Sequence, residues 1–290
     1  MKRKTRDAIF YFILLVPAIV LFIMFFIIPV IQSFGLSFTD SYGMKTSYHF
    51  VGIDNYIEAI HDFTFTQTIG NTLYYTLLVV LIGNLLSLML ALLLDSQMHG
   101  KNIFRTVFFI PNIMSLLVVG YIWSFAYTKV IPEITKELTG MNVALLGNKK
   151  LVIIALAIVG VWNCAGYYMV IYIAALQSIS EDIVEAARID GAGYCQILRY
   201  VKLPMLMPTI FTCLILSVAA NMKVFELPYT MTSGGPVGAS STMVFKIYTT
   251  AFNAARNGYA ATQSIILFFI IGFISLLLNW LMRKKEERLS

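Results

Sequence analysis

Six long runs without a charged residue constrain this chain more than anything else in it. They cover 8–31, 71–94, 106–128, 151–179, 203–222 and 257–282. Each reaches the roughly 20 apolar residues that a helix needs to cross about 30 Å of hydrocarbon. They are too long and too continuous for membrane-barrel strands, which run to about 10 residues and alternate in polarity. Only 12% of the chain is charged, about half of what a soluble domain carries. The expected fold class is therefore an all-α integral membrane protein with six transmembrane helices. The spans are expected near 8–34, 70–94, 104–128, 151–177, 204–228 and 258–282, in one membrane domain over 1–290.

Lys and Arg set the expected orientation. With the N-terminus in the cytoplasm, the inside segments are 1–7, 95–105, 181–202 and 283–290, and they hold 13 of the 21 basic residues. The outside segments are nearly twice as long and hold fewer, so both termini are expected to be cytoplasmic. Flanks such as Arg283, Lys284, Lys285 and Arg288 account for the net charge of +6 without a nucleic-acid partner. The opening MKRKTRD and the run behind it resemble a signal peptide, but the run is too long for an h-region and no A-x-A-like site follows. It reads as a retained first span. Cys164, Cys195 and Cys213 are isolated, so neither a disulfide framework nor a metal site is expected. His49, His61 and His99 fall outside the spans, which argues against an intramembrane haem, zinc or proton relay.

Residues 32–70 read as a long outer loop, 128–150 as a shorter one with a helical hint at 132–138, and 229–256 as a segment opening on a turn at Thr232, Ser233, Gly234, Gly235 and Pro236. Pro17, Pro29 and Pro111 are expected to interrupt or end helices. Trp123 and Trp280 sit near span ends, as interfacial aromatics do. Trp162 lies nearer mid-span and is expected to pack against protein.

Between two apolar runs stands a charged, helix-patterned island, SISEDIVEAARIDGAGYCQILRYVKLPMLMP. Ser178 with Glu181 fits a capping box, which starts a helix there that can run to Asp190. Gly191, Ala192 and Gly193 supply a turn. Tyr194, Ile197, Leu198 and Val201 then fall on one face of a second helix, and Pro204 is expected to restart the chain as the next span. On physics alone, an amphipathic elbow lying on the protein's own cytoplasmic ends and a docking element for a partner are both open readings.

The island's full string weighs on that choice. Glu185-Ala186-Ala187, Asp190-Gly191-Ala192, Ile197 and Leu203-Pro204, with their spacing, resemble the EAA loop of binding-protein-dependent ABC importer permeases. Phe50-Val51-Gly52 with Asn55-Tyr56, Asn71-Thr72, Arg105-Thr106 with Pro111, Trp162 with Gly166, and Ala175-Leu176-Gln177 resemble the sugar-type members. Thr232 with Gly234-Gly235-Pro236 resembles their MalF/UgpA branch. The resemblance implies a type I ABC importer permease fold in a bacterial or archaeal cell (inner) membrane. It implies a MalG-like second permease, two copies of a cytoplasmic ATPase that bind ATP and Mg, and an extracellular solute-binding protein. It also implies that Glu185, Ala186, Ala187, Asp190, Gly191 and Ala192 form the ATPase-coupling segment, and that the cargo is a sugar, expected to be an oligosaccharide.

No GxxxxGK[ST] string occurs, so the chain carries no phosphate-cradling loop of that kind. No catalytic residue and no cofactor is expected in it. For the substrate path, polar and aromatic residues in or near spans are the candidates: Asn163, Tyr167, Tyr168, Asn221, Lys223 and Glu226. Lys223 and Glu226, at i and i+3, also fit a structural ion pair. Asn84, Asn163 and Asn221 also fit interhelical hydrogen bonding. A stand-alone secondary transporter of a small polar solute is the alternative, but its usual internal repeats or broken mid-membrane helices are not evident in the sequence. A membrane-embedded enzyme lacks a nucleophile motif and paired intramembrane carboxylates.

Overall fold

The computed structural model describes residues 2–44, 47–95, 100–140 and 144–286; His99 and Arg288 lie outside them. The described path is helical almost throughout, and its one β-type pairing is an isolated bridge between Thr39 and Phe50. In chain order the helices are α1 (Lys2–Phe22), α2 (Ile28–Ser37), α3 (Asp54–His61), α4 (Phe63–Leu94), α5 (Lys101–Ile113), α6 (Leu116–Phe125) and α7 (Ile131–Thr139). There follow α8 (Val152–Gln177), α9 (Glu181–Ile189), α10 (Tyr194–Ile197), α11 (Leu203–Asn221), α12 (Glu226–Met231), α13 (Met243–Tyr248) and α14 (Asn257–Glu286).

Five stretches are long and apolar enough to cross a membrane: Leu14–Ser37, Phe63–Leu94, Val152–Gln177, Tyr194–Asn221 and Asn257–Lys284. A bent pair, Lys101–Ile113 and Leu116–Leu138, whose halves meet at 94°, reaches the same length and apolar character only when the two are taken together. The expected straight span over 104–128 is thus broken, and a broken helix is present where the sequence showed none. Residues 32–70, expected as a loop, are also more helical than expected, since α2, α3 and the first turns of α4 occupy much of them.

The prolines behave differently from the expectation. Pro17 lies inside α1 without interrupting it. Pro204 does not restart the chain, because the helix runs unbroken from Tyr194 to Asn221. A π turn, Leu198–Lys202, precedes it. Ile23–Ile27 likewise precedes Pro29, and Ala126–Val130 precedes Pro132. The physical reason is common to all three. A proline ring strikes the carbonyl four residues back and offers no N–H. Here those carbonyls belong to Phe25, Thr128 and Tyr200, each inside a wider π turn that makes room for the ring.

The chain divides into two compact units, 1–62 with 247–268, and 63–246 with 269–290. In the first, the Asn55 amide is 8% exposed and donates to the carbonyls of Ser37 (3.0 Å) and Thr39 (2.9 Å). It thereby satisfies acceptors that the end of α2 leaves open. Tyr56 Oη meets Ser37 Oγ at 2.7 Å, and Val51 N–H donates to Phe38 O. The Phe50–Tyr56 segment is thus a cap for α2. Arg256 grips Glu58 with both guanidinium nitrogens, at 2.7 and 2.6 Å, and lies 4.5 Å from the Tyr259 ring centre.

In the second unit α8 is the central helix, and α4 lies along it. Small residues permit the approach. A side chain at Gly160 would strike the Tyr75 hydroxyl, and one at Gly166 would strike the backbone of Phe108 in α5. Between α4 and α8, Ser87 Oγ donates to Ala165 O (2.8 Å) and Tyr172 Oη to Asn84 Oδ1 (2.9 Å). Trp162 packs edge-on against Trp123, with ring centres 5.7 Å apart, while 41% of it stays exposed. Beyond α12 the chain turns through Ser233 and Val237, both at positive φ. Asn71 fixes this turn by donating to the carbonyls of Gly238 and Ser241, both at 3.0 Å, and Thr72 Oγ1 accepts from Met243 N–H.

Gly166→Val should therefore lower the thermal midpoint of the purified protein. Backbone cannot step aside as a side-chain tip can, and overpacking of this kind costs about 1–3 kcal/mol. Gly272→Ala, inside α14 where an added Cβ meets nothing within 4 Å, should leave the midpoint unlowered or raise it slightly in the same thermal-shift measurement.

Candidate functional site

The island folds into an elbow. Helix α9 begins two residues later than the capping-box reading placed it. Ser178 ends α8 instead, with its hydroxyl donating to Ala175 O at 2.8 Å. Ser180 is the N-cap, its backbone extended at ψ 132 and its oxygen accepting from Asp182 N–H. Glu181 and Asp182 stand in the first turn and Arg188 in the last, the arrangement a helix dipole favours. The helix ends at Ile189 with Asp190 as C-cap, and Gly191 turns the chain at φ +82, where a side chain would be strained. Gln196 Oε1 accepts from Gly193 N–H at 2.8 Å and starts α10.

Of the six coupling candidates, Glu185, Ala186, Asp190 and Gly191 are exposed, and Ala187 and Ala192 are half-buried. Within its unit, α9 packs on α10. Ile189 is 81% and Tyr194 69% exposed, so one side of the elbow stays uncovered while Val184 packs on the buried cluster that holds Ile179, and Tyr194 is not a core residue of its helix face. Ile197 alone of that face is buried. The base of the elbow is fixed by an ion pair from Lys202 Nζ to Asp95 Oδ2 at 3.0 Å, with both side chains about one-fifth exposed (21% and 19%).

The second feature is a cavity of about 550 Å³ in the same unit, within the range of roughly 300–1,000 Å³ typical of small-molecule sites. All six substrate-path candidates, Asn163, Tyr167, Tyr168, Asn221, Lys223 and Glu226, line it. The sequence reading missed Tyr75, Asn112 and Leu116, which also line it. Asn112 and Leu116 flank the bend of the third span, and nothing in the sequence marked that bend apart from Pro111. Asn163 and Tyr167 are one turn apart on α8, and Tyr167 and Tyr168 meet edge-on at 5.1 Å.

Two expectations need correction here. Lys223 and Glu226 do not pair. Helix α11 stops at Asn221 and Glu226 opens α12, so the i, i+3 geometry that would align them is absent. Asn221 makes no interhelical bond among the described residues; its Nδ2 donates back to Ser217 O at 2.8 Å. Asn84 and Asn163 do bond across helices, Asn163 to Pro111 O at 2.7 Å. Among the described residues no group of three His, Cys, Asp or Glu is placed to hold a metal.

The family described as "Binding-protein-dependent transport system inner membrane component" matches residues 83–290, which include the elbow and nearly all of the cavity wall. The chain belongs to that family. Among its members, MsmF of Streptococcus mutans, a multiple sugar-binding transport system permease protein, is 32% identical over 286 residues, covering 98% of this chain and 99% of that protein. AmyD of Thermoanaerobacterium thermosulfurigenes, a probable starch degradation products transport system permease protein, is 31% identical over 282 residues, covering 97% and 96%. A crystal structure of a bacterial ABC transporter that imports the acidic polysaccharide alginate contains a chain of the same fold. It has a TM-score of 0.83 and 24% identity, and covers 98% of both chains. The fold is thus that of a type I ABC importer permease, and this family member is a multi-pass membrane protein. Family membership decides against a stand-alone secondary transporter, whatever the break in the helix pair at 101–138.

Asp95→Lys should destabilise the purified protein by about 1 kcal/mol, the scale of an accessible ion pair. Combining it with Lys202→Asp should restore most of the loss in a double-mutant cycle of thermal midpoints.

Proposed function

We propose that this chain is the membrane-spanning permease subunit of an ATP-driven importer, and that it takes up a sugar, in particular an oligosaccharide, released to it by an extracellular binding protein. Its partners on this reading are a MalG-like second permease and two copies of an ATPase that bind ATP and Mg, with the elbow and both termini on the cytoplasmic side. This chain catalyses no reaction itself. Sugar-importing relatives of matching length support the cargo class.

The observation that carries the mechanism is a single helix. Tyr194–Asn221 runs 28 residues without a break, about 42 Å at 1.5 Å per residue. The elbow is at one end and a cavity residue, Asn221, at the other. A push on the elbow therefore arrives at the cavity as a rigid displacement. Glu185 offers a carboxylate to a basic or amide partner, Ala186 and Ala187 permit close approach, and Gly191 allows the turn that joins α9 to the long helix. In the cavity, Asn112, Asn163 and Asn221 offer amides to hydroxyl groups. Tyr167 offers an aromatic face to the apolar side of a sugar ring. Lys223 and Glu226 together add no net charge, which suits a neutral cargo.

The test is reconstitution of the whole transporter in vesicles. Liganded binding protein should raise ATP hydrolysis several-fold. Glu185→Ala and Gly191→Val should each cut sugar uptake at least tenfold while calorimetry finds sugar affinity of the binding protein unchanged. An ATPase rate indifferent to liganded binding protein, together with undiminished uptake in both variants, would sink the proposal.

A further inference from the structure

One cavity residue serves two elements at once. The Pro111 carbonyl lies in the last turn of α5, where a continuing helix would supply the Ser115 N–H four residues on. Instead Met114 turns extended, at φ −70 and ψ 141, and the path bends by 94°. Asn163, from α8, supplies the missing donor through Nδ2 at 2.7 Å. Its other amide atom, Oδ1, accepts no hydrogen bond among the described residues and is not sealed from the cavity that Asn163 lines. Asn221 differs, because its Nδ2 donates within its own helix and so ties a ligand on its Oδ1 to no second element.

We infer that Asn163 is a positioning residue that ties occupancy of the cavity to the bend in the third span. The inference rests on the sugar-import reading, because its ligand is a hydroxyl group. A hydroxyl that donates to Oδ1 polarises the conjugated amide, and the N–H bonded to Pro111 becomes a stronger donor. Ligand entry thus tightens the bond that holds the end of α5, and departure relaxes it. No covalent bond changes. The consequence travels further, since α6 beyond the bend packs on α12. There a side chain at Gly120 would strike Thr230, and Glu226 at the start of α12 lines the same cavity.

The experiment uses the complete transporter with its binding protein, in sealed vesicles for uptake and in nanodiscs for hydrogen exchange. Maltotriose, raffinose and sn-glycerol 3-phosphate are the probes, and hydrogen exchange is read over 109–118. In the wild type, whichever probe is taken up should slow exchange there at least threefold. Asn163→Asp keeps the shape but sets a carboxylate oxygen against the Pro111 carbonyl. It should speed exchange, abolish the probe's effect on this segment and lower maximal uptake at least tenfold, while probe-dependent protection in α11 persists. Asn163→Ser, which keeps a donor, should restore part of the response, and it decides the matter if the Asp variant fails to assemble. Uptake of neither maltotriose nor raffinose would overturn the sugar reading and the inference with it. Uptake with wild-type probe protection over 109–118 in the variants, or a wild-type segment indifferent to the probe, would overturn the inference alone.

Discussion

A backbone carbonyl that loses its helical donor inside a membrane protein has no water to turn to, and much of this structure is arranged around that constraint. At the end of α2 the donor is Asn55, which reaches two carbonyls. At the turn after α12 it is Asn71, again reaching two. At the break between α5 and α6 it is Asn163. In each case a side-chain amide supplies a donor to carbonyls at a helix end or turn. Pro29, Pro132 and Pro204 are handled by the complementary device, a local widening of the helix that lets the ring pass without stranding a carbonyl.

Packing follows from the same economy of space. Lipid gives helices no hydrophobic reason to associate, so close contact between backbones has to hold them. Gly160 and Gly166 let α4 and α5 approach α8 where a Cβ would not fit. The helix that carries those glycines also carries Asn163 and Tyr167, so packing and the cavity wall share one rigid element. The elbow is built on the opposite plan. It keeps Ile189 and Tyr194 exposed and meets its unit mainly through Val184, Ile197 and the Lys202–Asp95 pair.

Much of this was legible in the sequence because it depends on local pattern. Uncharged runs of helix length gave the crossings, and glycine between two helical patterns gave the elbow. The six polar and aromatic candidates converge on one cavity because polar side chains within a span have few places to face other than the interior. What was hidden depends on where helices stop. Ser178 and Ser180 are equally good caps on paper, and only the continuation of α8 to Gln177 assigns the role to the second. Lys223 and Glu226 look paired only if one helix runs through both. The third span looks continuous because Pro111 marks a disturbance without stating its angle, and Asn163, which secures the bend, lies 52 residues away in sequence.

The Lys202–Asp95 pair, described as the base of the elbow, also sets a gear ratio. Lys202 divides the long helix unequally, with about 12 Å on the Tyr194 side and about 28 Å on the Asn221 side at 1.5 Å per residue. A helix that rocks about that pinned point moves its far end a little more than twice as far as its near end. The stroke gained at the cavity is matched by a proportionate loss of force. On the proposed reading, the position of this one ion pair along the helix would set how large a movement at the elbow is needed to reshape the cavity.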